Sequence, residues 1–154
     1  MDIKKPITNP MLVGAMELLN AENTPEHRKI FFEEVEKAVF LAPVVIDPPP
    51  VADGQGMFRI PPESRVQFPL LKAPDGKQFF MAYTDWDELQ KWNNQDNQQT
   101  FGLKLTDYAD MVFKRNESGE MNPVAGVVIN PYGGNMALTK EMIAGILMPK
   151  PPRS

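Results

Sequence analysis

The segment Ala125-Gly126-Val127-Val128-Ile129-Asn130-Pro131-Tyr132-Gly133-Gly134-Asn135-Met136-Ala137-Leu138-Thr139 decides the reading of the fold. Val127 to Ile129 is a short uninterrupted apolar run, the pattern of a strand buried on both faces. The six residues that follow carry turn chemistry. Pro131 fixes its own φ near about −65°, and asparagine and glycine tolerate positive φ. Met136 to Leu138 then reads as a returning strand, and Thr139 as the N-cap of a helix. A hairpin running directly into a helix points to an α+β domain. Gly133-Gly134-Asn135 is not a phosphate loop: it lacks both the Gly-x-Gly-x-x-Gly spacing and a Gly-Lys-Ser/Thr ending, and it joins strand to strand.

Working outward, Met142, Ile143, Ile146 and Leu147 form the apolar stripe of that last helix, which Pro149 terminates. Upstream, Thr106 reads as the cap of a helix from Asp107 to about Lys114. Phe101, Leu103 and Leu105 alternate with Gly102 and Lys104 as a half-buried strand, and Asn93 to Gln99 is a solvated polar loop. Val66 to Leu71 and Gln78 to Tyr83 are strands about Ala73-Pro74-Asp75-Gly76, a type I turn followed by a left-handed residue. Thr84 caps a short helix through Leu89 and Trp92, with Asp87 completing a capping box. At the N-terminal end, Asn9-Pro10 and Thr24-Pro25 each open a helix. The first carries Leu12, Ala15, Met16 and Leu19. The second carries Ile30, Phe31, Val35, Ala38 and Val39, with a Glu33–Lys37 pair on its outer face. Pro43 belongs near the start or edge of the strand that follows, and Asp47 to Glu63 is an irregular proline-rich excursion.

Composition narrows the function. The 154 residues read as a single domain over 1–148 with a proline-rich tail at 149–154. A chain of this length buries roughly 68–70% of its unfolded surface and needs no covalent staples. The net charge of −4 argues against a general affinity for nucleic acid or anionic lipid. No apolar stretch is long enough to span a membrane, and Met1 to Pro6, with two lysines and no apolar run behind them, do not read as a signal peptide. The absence of cysteine removes thiolate chemistry and Cys-bound zinc, and suits a cytoplasmic protein.

Four blocks taken together resemble a known family. They are Phe31 through Ala42-Pro43-Val44, then Asp75-Gly76-Lys77 through Tyr83-Thr84-Asp85, then Leu89 with Trp92, and finally Gly126-Val127-Val128-Ile129-Asn130-Pro131-Tyr132 with Asn135 to Leu138. In this order they are similar to the N-terminal domain of the SseB family, named for enhanced serine sensitivity, and the resemblance spans roughly Pro10 to Leu147. It implies an α+β fold without established enzymatic activity or cofactor. Combined with the strand and helix patterns, it gives a mostly antiparallel sheet of about five or six strands with helices packed on one side.

The chemistry-bearing residues read blandly. His27, the only histidine, stands in the first turn of a helix, and no serine occupies a Gly-x-Ser-x-Gly elbow. Asp85, Asp87 and Glu88 cluster where helix capping accounts for them, as do Asp107 and Asp110. No catalytic residue, metal ligand or cofactor is assigned. Candidate binding residues are Trp86, Asn130, Tyr132 and Asn135, the aromatics as anchors for a protein and the amides as groups that orient a polar ligand. The leading expectation is a non-enzymatic module that recognises a protein partner or regulates one. A domain or enzyme taking a small metabolite near Asn130 and Tyr132 is the alternative, and a component of an envelope or secretion-associated assembly is a third. Self-association is left open.

Overall fold

A computed structural model describes residues 7–48, 51–52, 54, 58–93 and 98–147. The proline-rich tail and residues 94–97 of the polar tract lie outside these. In chain order the elements are α1 (Pro10–Ala21), α2 (Pro25–Lys37), β1 (Val39–Asp47), β2 (Val51–Ala52), β3 (Phe58–Arg59), β4 (Arg65–Gln67), β5 (Leu70–Lys72), β6 (Gln78–Ala82), α3 (Trp86–Trp92), β7 (Gln99–Lys104), α4 (Leu105–Val112), β8 (Gly126–Ile129), β9 (Met136–Thr139) and α5 (Lys140–Leu147). The fold is α+β and its pairing is mostly antiparallel, with β6–β8 the parallel exception. In place of one sheet there are two larger ones, ordered β4-β1-β7 and β5-β6-β8-β9, and a small β2–β3 pair inside the excursion.

Pro43 is where the sheet divides. Leu41 and Tyr83 exchange both backbone hydrogen bonds, at 2.8 and 3.0 Å, and so join β1 to the end of β6. In an antiparallel ladder the next such pair would be Pro43 with Met81. Pro43 has no N–H to give, so the two strands part there. The Tyr108 hydroxyl from α4 donates to the stranded Met81 carbonyl at 2.8 Å. Into the opening runs the chain expected as one strand: β4 pairs with β1, Phe68-Pro69 turns it, and β5 pairs with β6. Phe68 packs edge-on against Phe80 and Phe101, closing the gap from the core side. Pro43 therefore sits inside a nine-residue strand, buried, rather than at its start.

Side-chain alternation puts two cores on the two faces. Phe40, Ala42, Phe80, Ala82, Val127, Ile129 and Leu138 face α1, α2, α4 and α5. Leu41, Met81, Tyr83 and Val128 face the other way, where α3 covers them through Leu89, Trp86 and Trp92. Helices thus pack on both sides, not one, and every residue of β8 is buried.

Local signals held where the cap is its own neighbour. Thr24 accepts the His27 N–H at 3.1 Å, and Thr139 accepts that of Met142 at 3.2 Å. Two caps moved by one or two residues. Asp85, not Thr84, caps α3, accepting the Glu88 N–H at 2.9 Å. Helix α4 begins at Leu105, so Leu105 leaves the strand, and Asp107 accepts the Lys104 N–H at 2.9 Å where Thr106 was expected to cap. On α2 the ion pair is Lys37 with Glu34 at 3.5 Å instead of Glu33. Ile30 is exposed and α2 ends at Lys37, with Val39 opening β1, so the core face of α2 is narrower and shorter than its apolar pattern.

Candidate functional site

The turn between β8 and β9 is fixed from three directions. Asn130 lies buried with φ +49°, and both ends of its amide bind Thr84: Oδ1 accepts the Thr84 N–H and Nδ2 donates to the Thr84 hydroxyl, each at 3.0 Å. That hydroxyl donates in turn to Asp85 Oδ2 at 3.0 Å, while Asp85 Oδ1 caps α3. Asn9, expected to cap α1, makes no capping bond; its amide instead donates to the Thr84 carbonyl at 2.8 Å and to that of Val39 at 2.9 Å. Thr84 thereby has its N–H, carbonyl and hydroxyl all bound. Within the turn, the Asn130 carbonyl accepts from Gly133 at 2.9 Å and from Asn135 at 2.8 Å.

The glycines serve space rather than dihedral angle. Positive φ falls on Asn130 and Asn135, while Gly133 and Gly134 are not among the positive-φ residues. A Cβ on Gly133 would run into the Glu88 carboxylate of α3, and one on Gly134 would come within 2.7 Å of Met16 Cε on α1. The turn is laid close on two helices. Glu88 binds Lys91 through Oε2 at 2.8 Å and turns its other oxygen inward, buried and without a hydrogen-bond partner among the described residues.

The sequence-derived residues therefore separate. Asn130 is a structural clasp. Asn135 closes the turn with φ +52° and an exposed side chain. Tyr132 is thrust outward, 51% exposed. Trp86 is half-buried against the second core, and Trp92 stacks on Tyr83 with ring centroids 6.4 Å apart. Burial pushes the Tyr83 phenol well above the ordinary tyrosine range, with Tyr132 and Glu88 adding to the effect. Tyr108 is raised by burial first, then by Tyr83 and Asp107. These shifts hold both phenols protonated, and Tyr108 uses its proton on Met81. His27 Nδ1 lies 2.6 Å from the Glu22 carbonyl, a local helix-end contact.

The family profile of the SseB protein N-terminal domain matches residues 12–145. The chain belongs to the SseB family. Searches of the curated proteins and of the solved structures returned no match. Thr84, Asp85 and Asn130, three of the residues that carry the SseB resemblance, make the clasp that ties the β8–β9 turn to the start of α3. The bonds from Asn130 to Thr84 and from Asn9 to the Thr84 carbonyl were missed because the partners lie 46 and 75 residues apart in the chain, and no spacing signals such a bond.

Two concave surfaces in this SseB domain lie elsewhere, and neither is lined by Asn130, Tyr132 or Asn135. One, about 690 Å³, opens at the strand divide among Val45, Phe68, Pro69, Leu70 and Met111, with Lys114 at its edge. The other, about 500 Å³, runs between α2 and α5. Among the described residues no group of three or more acidic, histidine or cysteine side chains is placed to hold a metal ion.

Proposed function

We propose that this domain is a non-enzymatic module that recognises a protein partner, with the β8–β9 turn as the presenting element. One observation carries the reading: a half-exposed tyrosine, Tyr132, stands on a turn immobilised by the Asn130–Thr84 clasp and seated on two helices. A pre-ordered aromatic loses little conformational entropy on docking, and tyrosine is among the residues that dominate binding hot spots. Trp86, half-buried against the second core, is the other aromatic of the reading. The test is photo-crosslinking from a label beside Tyr132 in native lysate, with Tyr132→Ala as control. Enrichment of a defined partner that the control loses is the expected outcome; equal recovery from both removes the reading.

A small-molecule reading draws on a different observation, the cavity at the strand divide, whose apolar wall and lysine edge suit an amphipathic carboxylate. A thermal-shift screen of amino acids and apolar acids separates the two. A ligand-induced shift abolished by Lys114→Ala, and untouched by Tyr132→Ala, favours this second reading.

A further inference from the structure

The groove between α2 and α5 has an apolar floor of Phe32, Met142 and Ile146, and Gly145 leaves open space above it. Its α2 wall is polarised along its length. Arg28 and Lys29 stand in the first half, Phe32 at the centre, and Glu33 and Glu36 in the second half. Among the described residues, Lys29, Glu33 and Glu36 have no ion-pair partner. Arg28 donates to the Asn23 side-chain oxygen. The helix dipole is answered at the ends of α2, by Glu26 in the first turn and Lys37 in the last. The dipole does not account for the order of the groove-lining charges between those ends.

A two-fold rotation does. Laid antiparallel to itself about Phe32, α2 brings Arg28 and Lys29 of each copy against Glu36 and Glu33 of the other, and Phe32 against Phe32. The pattern is its own complement, the requirement for an isologous contact. We infer that the α2–α5 groove is a homodimer interface in which each copy lays its α2 into the groove of the other, forming a four-helix contact. The two helix dipoles then oppose, and the apolar floor is covered on both sides. This surface is separate from the Tyr132 turn, so the inference does not rest on the proposed partner-binding function.

The test is sedimentation of the full chain over a wide concentration range. Wild-type protein is expected to pass from monomer to dimer as concentration rises. Glu33→Arg/Glu36→Arg and Arg28→Glu/Lys29→Glu double variants, all at exposed positions, are each expected to remain monomeric while keeping wild-type circular dichroism. Mixed in equal amounts, these two variants are expected to recover a dimer. Tyr132→Ala is expected to sediment as wild type. A wild-type monomer at every concentration, double variants that dimerise as well as wild type, or a mixture that stays monomeric would each overturn the inference.

Discussion

The β5–β6 and β8–β9 hairpins of this domain are built from similar residues for opposite reasons. In β5–β6 the turn Ala73-Pro74-Asp75-Gly76 stands clear of the protein. Gly76 adopts φ +89° with nothing within 4 Å of where a Cβ would be. The turn is held by its own short-range bonds, from Gly76 to Ala73 at 2.9 Å and from Ala73 to Lys77 at 2.7 Å. In β8–β9 the glycines make room for α1 and α3, the positive φ angles fall on asparagines, and the decisive bonds reach Thr84, 46 residues away. The first turn is a local solution that needs only the chain around it. The second is a tertiary junction that has the composition of a turn.

The sharpest way to break this contrast is Asn130→Ala. It removes both bonds to Thr84, leaves the buried Thr84 N–H without its acceptor, and puts a Cβ-bearing residue without a local side-chain bond at φ +49°. The expected loss is about 3–4 kcal/mol in urea unfolding, the sum of an unsatisfied buried donor and a left-handed backbone. Asn130→Gly separates the two contributions, since it relieves the backbone strain and leaves the bonds missing. Equal losses for the two variants would show that the clasp alone matters.

Gly126→Ala comes next. At the start of β8 an added Cβ would overlap the Leu138 carbonyl oxygen, a backbone atom that cannot swing aside. The expected destabilisation is about 3 kcal/mol, at the upper end for overpacking. By contrast Gly76→Ala meets no atom and is penalised only through its positive φ, so about 1 kcal/mol is expected. A larger effect at Gly76 than at Gly126 would reverse the comparison, making the exposed turn the more demanding of the two.

The same division explains what the sequence could and could not reveal. Thr24, Thr139 and the Ala73–Gly76 turn were legible because each forms its bonds within a few residues of itself. The buried character of β8 was legible from an unbroken apolar run. Pro43 was misplaced because its effect depends on which strand lies opposite: its missing donor divides the sheet only because Met81 is the partner that would have needed it. Asn9 has the sequence context of a helix cap, yet its amide is drawn to two carbonyls 30 and 75 residues away. For the candidate site the outcome was mixed for the same reason. Asn130 and Tyr132 were singled out from a turn that composition alone made conspicuous, and only tertiary contacts sort them into an inward clasp and an outward aromatic.

Tyr132→Ala is the mildest of the substitutions and the one that tests whether the second hairpin is more than a junction. Its neighbours on either side do structural work, Asn130 through Thr84 and Gly133 through its approach to Glu88, whereas its own side chain is half in solvent. An exposed side chain of this kind changes stability by no more than about 0.5 kcal/mol on removal. If the turn exists only to hold strands and helices together, Tyr132→Ala is silent both in unfolding and in crosslinking. If the clasp exists to present an aromatic, stability is unchanged while partner recovery falls sharply, because a hot-spot truncation weakens binding by about 2 kcal/mol, roughly thirtyfold. That split between an intact fold and lost binding is what no residue of the β5–β6 turn should produce.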